Sequence, residues 1–147
     1  SRIARVPEPF SRWMRVSDRR SSTETTGTKI SPEEIKRVKG LGCLKDKRYD
    51  DIFNIRVLTR NGRITTEEHR AIADAAEKFG NGEITMTTRL SMEIQGVPYG
   101  NLEGAIALLA EHGLTTGGTG SLVRPVVSCK GTTCQYGLID TFSLSEI

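Results

Sequence analysis

The chain has 147 residues, 21 Lys plus Arg against 18 Asp plus Glu, 36% hydrophobic and 27% charged residues, and three cysteines. These figures describe a soluble globular protein of one domain, alone or with a tail, and the odd cysteine count argues against a disulfide scaffold. The longest apolar run, Ala105 to Ala110, falls far short of a membrane span, and no secretory or lipidation signal is present, so the expected location is cytoplasmic.

Residues 1–20 carry six arginines against Glu8 and Asp18, a net of +4, which leaves −1 for residues 21–147. The basicity therefore belongs to a tail, and nucleic-acid binding by the body loses its main support. With the Ser/Thr run Ser21 to Thr28, residues 1–28 read as a flexible basic arm, vector-derived, partner-binding or a targeting remnant. If the arm wraps on a neighbouring subunit, Phe10, Trp13 and Met14 are its apolar anchors.

Ser31-Pro32-Glu33-Glu34 is a capping box that opens a short helix carrying Ile35 and Val38 and ended by Gly40 and Gly42. Ile52 to Leu58 reads as a strand, because Phe53, Ile55 and Val57 alternate with Asn54 and Arg56. Asn61-Gly62 makes a turn, and Thr65-Thr66-Glu67-Glu68 caps a second helix with the stripe Ile72, Ala75, Ala76 and Phe79, closed by Gly80. Glu83 to Gly96 predicts one long strand with Ile84, Met86, Leu90, Met92 and Ile94 on its apolar face, which makes both methionines core. Asn101 is expected to cap a third helix with Leu102, Ala105, Ile106 and Leu109 inward, and Leu122 to Ser128 predicts a last strand. The Gly/Thr-rich loop between them, Thr115 to Gly120, either offers N–H groups to an anion or simply connects.

This order predicts an α+β fold of ferredoxin-like type: a two-layer sandwich with helices on one face of a mixed sheet and the first two long strands parallel. The other face carries the polar residues. Arg56, Arg89 and Arg124 take comparable places there, and an arginine fork suits carboxylates and oxyanions, although a solvated sheet face explains them as well.

Cys129 and Cys134 stand with four residues between them after the last predicted strand. They can converge on one metal or cluster through the glycine-containing turn, or remain two ordinary thiols. Zinc favours shorter spacing and needs further ligands, and a redox dithiol lacks its usual spacing. Cys43 reads as a structural or free thiol, and His69 and His112 as surface residues.

The stretch "IRVLTRNGRITTEEHRAIADAAEKFGNGEITMTTRLSMEIQGV", with its Thr87-Thr88-Arg89, resembles the ferredoxin-like half-domain of siroheme-dependent nitrite and sulfite reductases. "VRPVVSCKGTTC", Val123 to Cys134, resembles the start of their siroheme and 4Fe-4S domain. The resemblance implies an arm at 1–28, a half-domain at 29–120 and an incomplete siroheme/4Fe-4S domain at 121–147. It implies a reductase of sulfite or nitrite, with Arg56 and Arg124 reaching the anionic substrate and helping to hold the cofactor. Thr87 and Arg89 would hold siroheme carboxylates, and Cys129 and Cys134 would be the first pair of cluster ligands. An electron-donor protein or subunit, and a homodimer or partner subunit, are the implied partners; no nucleic acid or membrane is.

Two features depart from the family pattern. The family pair usually has one more intervening residue than the four here. Its second cysteine pair is absent, which leaves half of the thiolates that usually hold such a cluster. The expectation is a truncated chain, inactive alone. The alternative is a non-catalytic α+β module that binds an anionic ligand or a protein through its arginine face, with a thiol-based redox or metal-binding protein as a further rival.

Overall fold

The computed structural model describes residues 29–120 and 123–145; the expected arm at 1–28 and the predicted strand residue Leu122 lie outside them. Helix α1 (Pro32–Gly40) starts where Ser31 accepts the Glu34 N–H, with proline in its first turn. Strand β1 (Cys43–Lys45) follows, then β2 (Ile52–Val57) and α2 (Thr66–Phe79). The Thr65 capping box is complete, with Glu68 returning a bond to the Thr65 N–H. Strands β3 (Ile84–Met86) and β4 (Met92–Pro98) form a hairpin, and after a single 3₁₀ turn α3 spans Leu102–Glu111.

The sheet order is β1-β2-β4-β3, and each of its ladders is antiparallel. β2 and β3 thus run parallel to one another, as the crossover predicts, but β4 lies between them. The expected mixed sheet is an antiparallel one with a split parallel pair, the α+β ferredoxin-like arrangement. Phe53, Ile55 and Val57 of β2 and Ile94 and Val97 of β4 form one core with Ile72, Ala75 and Ala76 of α2 and Ala105 and Leu109 of α3. Ile94 and Val97 are an odd number of residues apart and still share a face because of a bulge. The register slips between Phe53 and Ile55, Gly96 takes φ +70°, and its N–H donates to Asn54 Oδ1 at 3.2 Å.

Four expectations are corrected. Glu83 to Gly96 is two strands: Thr87 N–H bonds to the Ser91 carbonyl, Leu90 N–H to the Thr87 carbonyl, and Leu90 takes φ +57°. This is the three-residue hairpin loop that ends in a left-handed residue. Met86 lies at the turn end of that hairpin on the edge strand β3, 73% exposed, while Met92 is buried. Residues 123–128 form no strand, because Thr116 bridges Val57 at the β2 edge beyond β1. Asn101 makes no cap bond and donates instead to the Phe79 carbonyl at 3.3 Å.

Candidate functional site

The strand β2, the β3–β4 turn and the loops that follow α3 meet at one end of the sheet. Arg56 lies opposite Glu93 in the β2–β4 ladder. Its Nε and Nη2 both donate to Glu93 Oε1, at 2.9 and 2.7 Å, and the two side chains are only 13% and 14% exposed. The expected open arginine is therefore a half-buried, charge-paired one. Its remaining Nη1 donates to the Gly118 carbonyl at 3.3 Å.

Arg124 reaches the same oxygen from the other side. Its Nη1 donates to the Gly118 carbonyl at 3.0 Å and its Nη2 to the Gly120 carbonyl at 3.5 Å. Two guanidiniums thus share one carbonyl, and with Glu93 the cluster carries a net charge of +1. The 115–120 loop that supplies this carbonyl is itself tied down. Leu58 N–H donates to Thr115, Gly117 N–H to Arg56, and the buried Thr119 hydroxyl to the Lys39 carbonyl. The loop offers the arginines a carbonyl, the opposite polarity from the expected N–H donors.

Thr87 and Arg89 stand in the hairpin turn, not in a strand. The Thr87 hydroxyl lies 2.8 Å from the Ser91 hydroxyl and accepts the Ser91 N–H at 3.3 Å, so it closes the turn that carries the exposed Arg89. A leucine in the left-handed region costs about 1 kcal/mol. The Thr59 hydroxyl grips the Leu90 carbonyl and accepts the Gly62 N–H at 2.9 Å, which joins the two turns.

Cys129 is exposed and Cys134 half-buried, on either side of a 3₁₀ turn at Gly131–Thr133. Asn61, in the second turn, donates to the Cys129 carbonyl at 2.8 Å and accepts the Ser128 N–H at 3.0 Å. Neither Glu93 nor Asn61 is a residue that motif and spacing single out. The signal for Glu93 was available: an acid on the polar face directly across from an arginine.

The sequence-predicted residues therefore gather at one end. Arg56 and Arg124 meet at one oxygen, while the hairpin turn and the cysteine segment join them through Thr59 and Asn61. Among the described residues no group of three or more His, Cys, Asp or Glu converges. The cysteine pair fits half of a Cys-ligated cluster's ligand set, and the arginine pair fits an anion. Cys43 is buried away from them, and burial pushes its thiol up to about 11, so it is protonated at neutral pH. A cavity of about 300 Å³, lined in part by Thr59, Arg60, Arg63 and Thr115, lies at this end. A larger one of about 410 Å³ lies at the other end of β2 beside Glu34, Asp51 and Tyr99, away from these residues. Among the described residues no helix is long and apolar enough to cross a membrane.

Residues 45–112 match the family described as the nitrite/sulfite reductase ferredoxin-like half domain. A coenzyme F420-dependent sulfite reductase of Methanocaldococcus jannaschii is 38% identical over 103 residues, covering 69% of this chain and 16% of that protein. An uncharacterized protein of the same organism is 34% identical over 114 residues, covering 74% of this chain and 41% of its own length. An assimilatory ferredoxin-dependent nitrite reductase of Haloferax mediterranei is 35% identical over 83 residues, covering 54% of this chain and 14% of its own. The chain thus spans less than half the length of each of these relatives.

Proposed function

Since the chain belongs to the nitrite/sulfite reductase family, we propose that its arginine end serves the reduction of a small oxyanion, sulfite or nitrite, within a siroheme and 4Fe-4S enzyme. The observation that carries this reading is the convergence of Arg56 and Arg124 on the Gly118 carbonyl. An oxygen acceptor placed there satisfies two fixed cationic forks, and an anionic oxygen is a stronger acceptor than a carbonyl. Arg56 is held by Glu93, so it is oriented before any ligand arrives; Arg124 is exposed and can turn toward one.

Thr87 and Arg89 hold siroheme carboxylates from the rigid hairpin turn, and Cys129 and Cys134 give two of the cluster thiolates. When bound, siroheme and the cluster supply electrons one at a time. The protein's own part is to place positive charge where an anion sheds oxygen and to keep it there without reorganisation. Residues 29–120 act as the cradle and 121–147 as the start of the cofactor domain. A donor protein or subunit and a second half-domain, from another copy or a partner, complete the assembly, which works in the cytoplasm.

The test is colour. The complete assembly, with the remaining cluster thiolates supplied, should show siroheme and iron–sulfur absorption with iron and labile sulfide when purified without oxygen or reconstituted. Arg124→Ala should then weaken sulfite binding, read as a ligand-induced spectral change, by about ten-fold or more, with the spectrum itself preserved. A complete assembly that cannot be reconstituted with either cofactor overturns the reading; a variant that loses all cofactor moves Arg124 to a structural role.

A further inference from the structure

Asn61 is 6% exposed and sits in the left-handed region at φ 52°, followed by Gly62 at φ 81°. That is the two-residue hairpin turn in which Asn-Gly is the favoured pair, and Arg60 and Arg63 close it. The turn alone does not need an amide side chain, since glycine or aspartate adopts this conformation too. What the amide adds is a donor and an acceptor in one rigid plane, and both are used on a segment far away in sequence. Oδ1 accepts the Ser128 N–H at 3.0 Å and Nδ2 donates to the Cys129 carbonyl at 2.8 Å. The nearly buried Thr141 hydroxyl donates to the same carbonyl at 2.8 Å.

We propose that Asn61 is a positioning residue for Cys129: it clamps the backbone from the Ser128 N–H to the Cys129 carbonyl, and so sets where the thiol stands relative to β2. The inference rests on reading Cys129 as a metal-site thiol. A ligand sulfur must be held to fractions of an ångström, and groups that fix a ligand without touching the metal govern its affinity. The strand that carries Arg56 runs directly into this turn, so one β2–turn unit fixes both the anion-facing guanidinium and the thiol. Asn61 thereby couples the two halves of the site in register.

The test uses the whole 147-residue chain, with Cd²⁺ as a thiolate-seeking probe followed by its thiolate charge-transfer absorption, and amide exchange read at Ser128. The unsubstituted chain should bind Cd²⁺ through Cys129 and Cys134, and C129S or C134S should abolish the band. Asn61→Gly keeps the backbone conformation and deletes both bonds. It should lower Cd²⁺ affinity by about ten-fold and speed Ser128 exchange, with the thermal midpoint and the protection of Cys43 unchanged. Asn61→Asp retains the acceptor but not the donor; it should protect Ser128 while still binding Cd²⁺ more weakly. Equal affinity and equal exchange in Asn61→Gly overturn the proposal, and so does a fall in midpoint with affinity intact, which makes Asn61 merely structural. Failure of the unsubstituted chain to bind Cd²⁺ through this pair overturns the metal-site reading instead. The Ser128 exchange then decides alone whether Asn61 fixes the segment.

Discussion

Residues 29–120 and residues 123–145 are held by different physics. The first region closes a hydrophobic core in which Phe53, Ile55, Ile72, Ile94 and Leu109 are fully buried between a sheet and its helices. The second exposes most of its large apolar side chains, including Val123, Tyr136 and Leu138, the last 96% exposed, and buries only one, Phe142. It is fixed by side chains that bond to backbone: Asn61 and Thr141 on Cys129, Thr133 on Lys130, and Asp140 capping the short helix α4 (Thr141–Leu144). Arg63 lies 4.6 Å over the Phe142 ring, a cation–π contact that ties this helix to the first region. The first region is thus a fold on its own terms, and the cysteine segment is a loop hung from it by a few polar hooks. The hooks fix the backbone around Cys129 and leave its sulfur accessible.

The largest effect expected from breaking this contrast is at Phe53, fully buried in β2 with its ring 6.0 Å from that of Tyr99. Phe53→Ala should cost about 3–5 kcal/mol by denaturant unfolding. Both regions should be lost together, since Asn61 and Arg63 stand on the turn that ends β2. Amide protection surviving at Cys129 to Phe142 after that loss would show the second region to be independent. The reverse experiment is smaller. Gly131 takes φ +70°, and a Cβ there would lie 2.8 Å from the Phe142 ring and 3.0 Å from the Thr141 hydroxyl. Gly131→Ala should open residues 129–142 to exchange at a local cost of about 1–2 kcal/mol. The global midpoint should stay near that of the parent; a drop on the scale of Phe53→Ala would make the two regions one cooperative unit.

The same division explains what sequence makes visible. The helix caps at Ser31 and Thr65, and the Asn-Gly turn, were legible because each is settled within a few residues; Ser31 lacks the reciprocal half of a capping box, since the Glu34 carboxylate is taken by Arg37 and Tyr99. The β3–β4 hairpin was not: Met86 and Met92 are six residues apart, so a period of two runs unbroken through the turn. No glycine or proline marks that turn, since Leu90 itself takes the left-handed conformation. Val126 and Val127 have strand-like residue types, but the bridge from Thr116 to Val57 already takes that sheet edge. At the site, Arg56 and Arg124 could be named from their places in the chain, but their meeting at Gly118 depends on how the 115–120 loop folds back. Asn61 read as a turn residue and nothing more, because its partners lie more than sixty positions away. Local chemistry was readable; the polar contacts between regions were not.

The smallest predicted effect sets one thiol of each region side by side. Cys43 is wholly buried in the first region, and burial pushes its thiol from the usual value up to about 11; Cys129 is exposed in the second. Alkylation at pH 8 should therefore label Cys129 in the folded chain and reach Cys43 only through unfolding, as peptide mass analysis can read. The buried thiol also leaves a signature in stability. Above pH 9 the thiol of the unfolded chain ionises while the folded one keeps its proton, so the unfolded state gains and stability declines as pH rises toward 11. Lysines and tyrosines titrate in the same window, so the contribution is the difference between the parent and Cys43→Ala, which should show a shallower decline. Parallel declines in the two proteins would mean that Cys43 reaches water without global unfolding. The first region would then open as readily as the second, and the contrast between a packed fold and a hooked loop would fail.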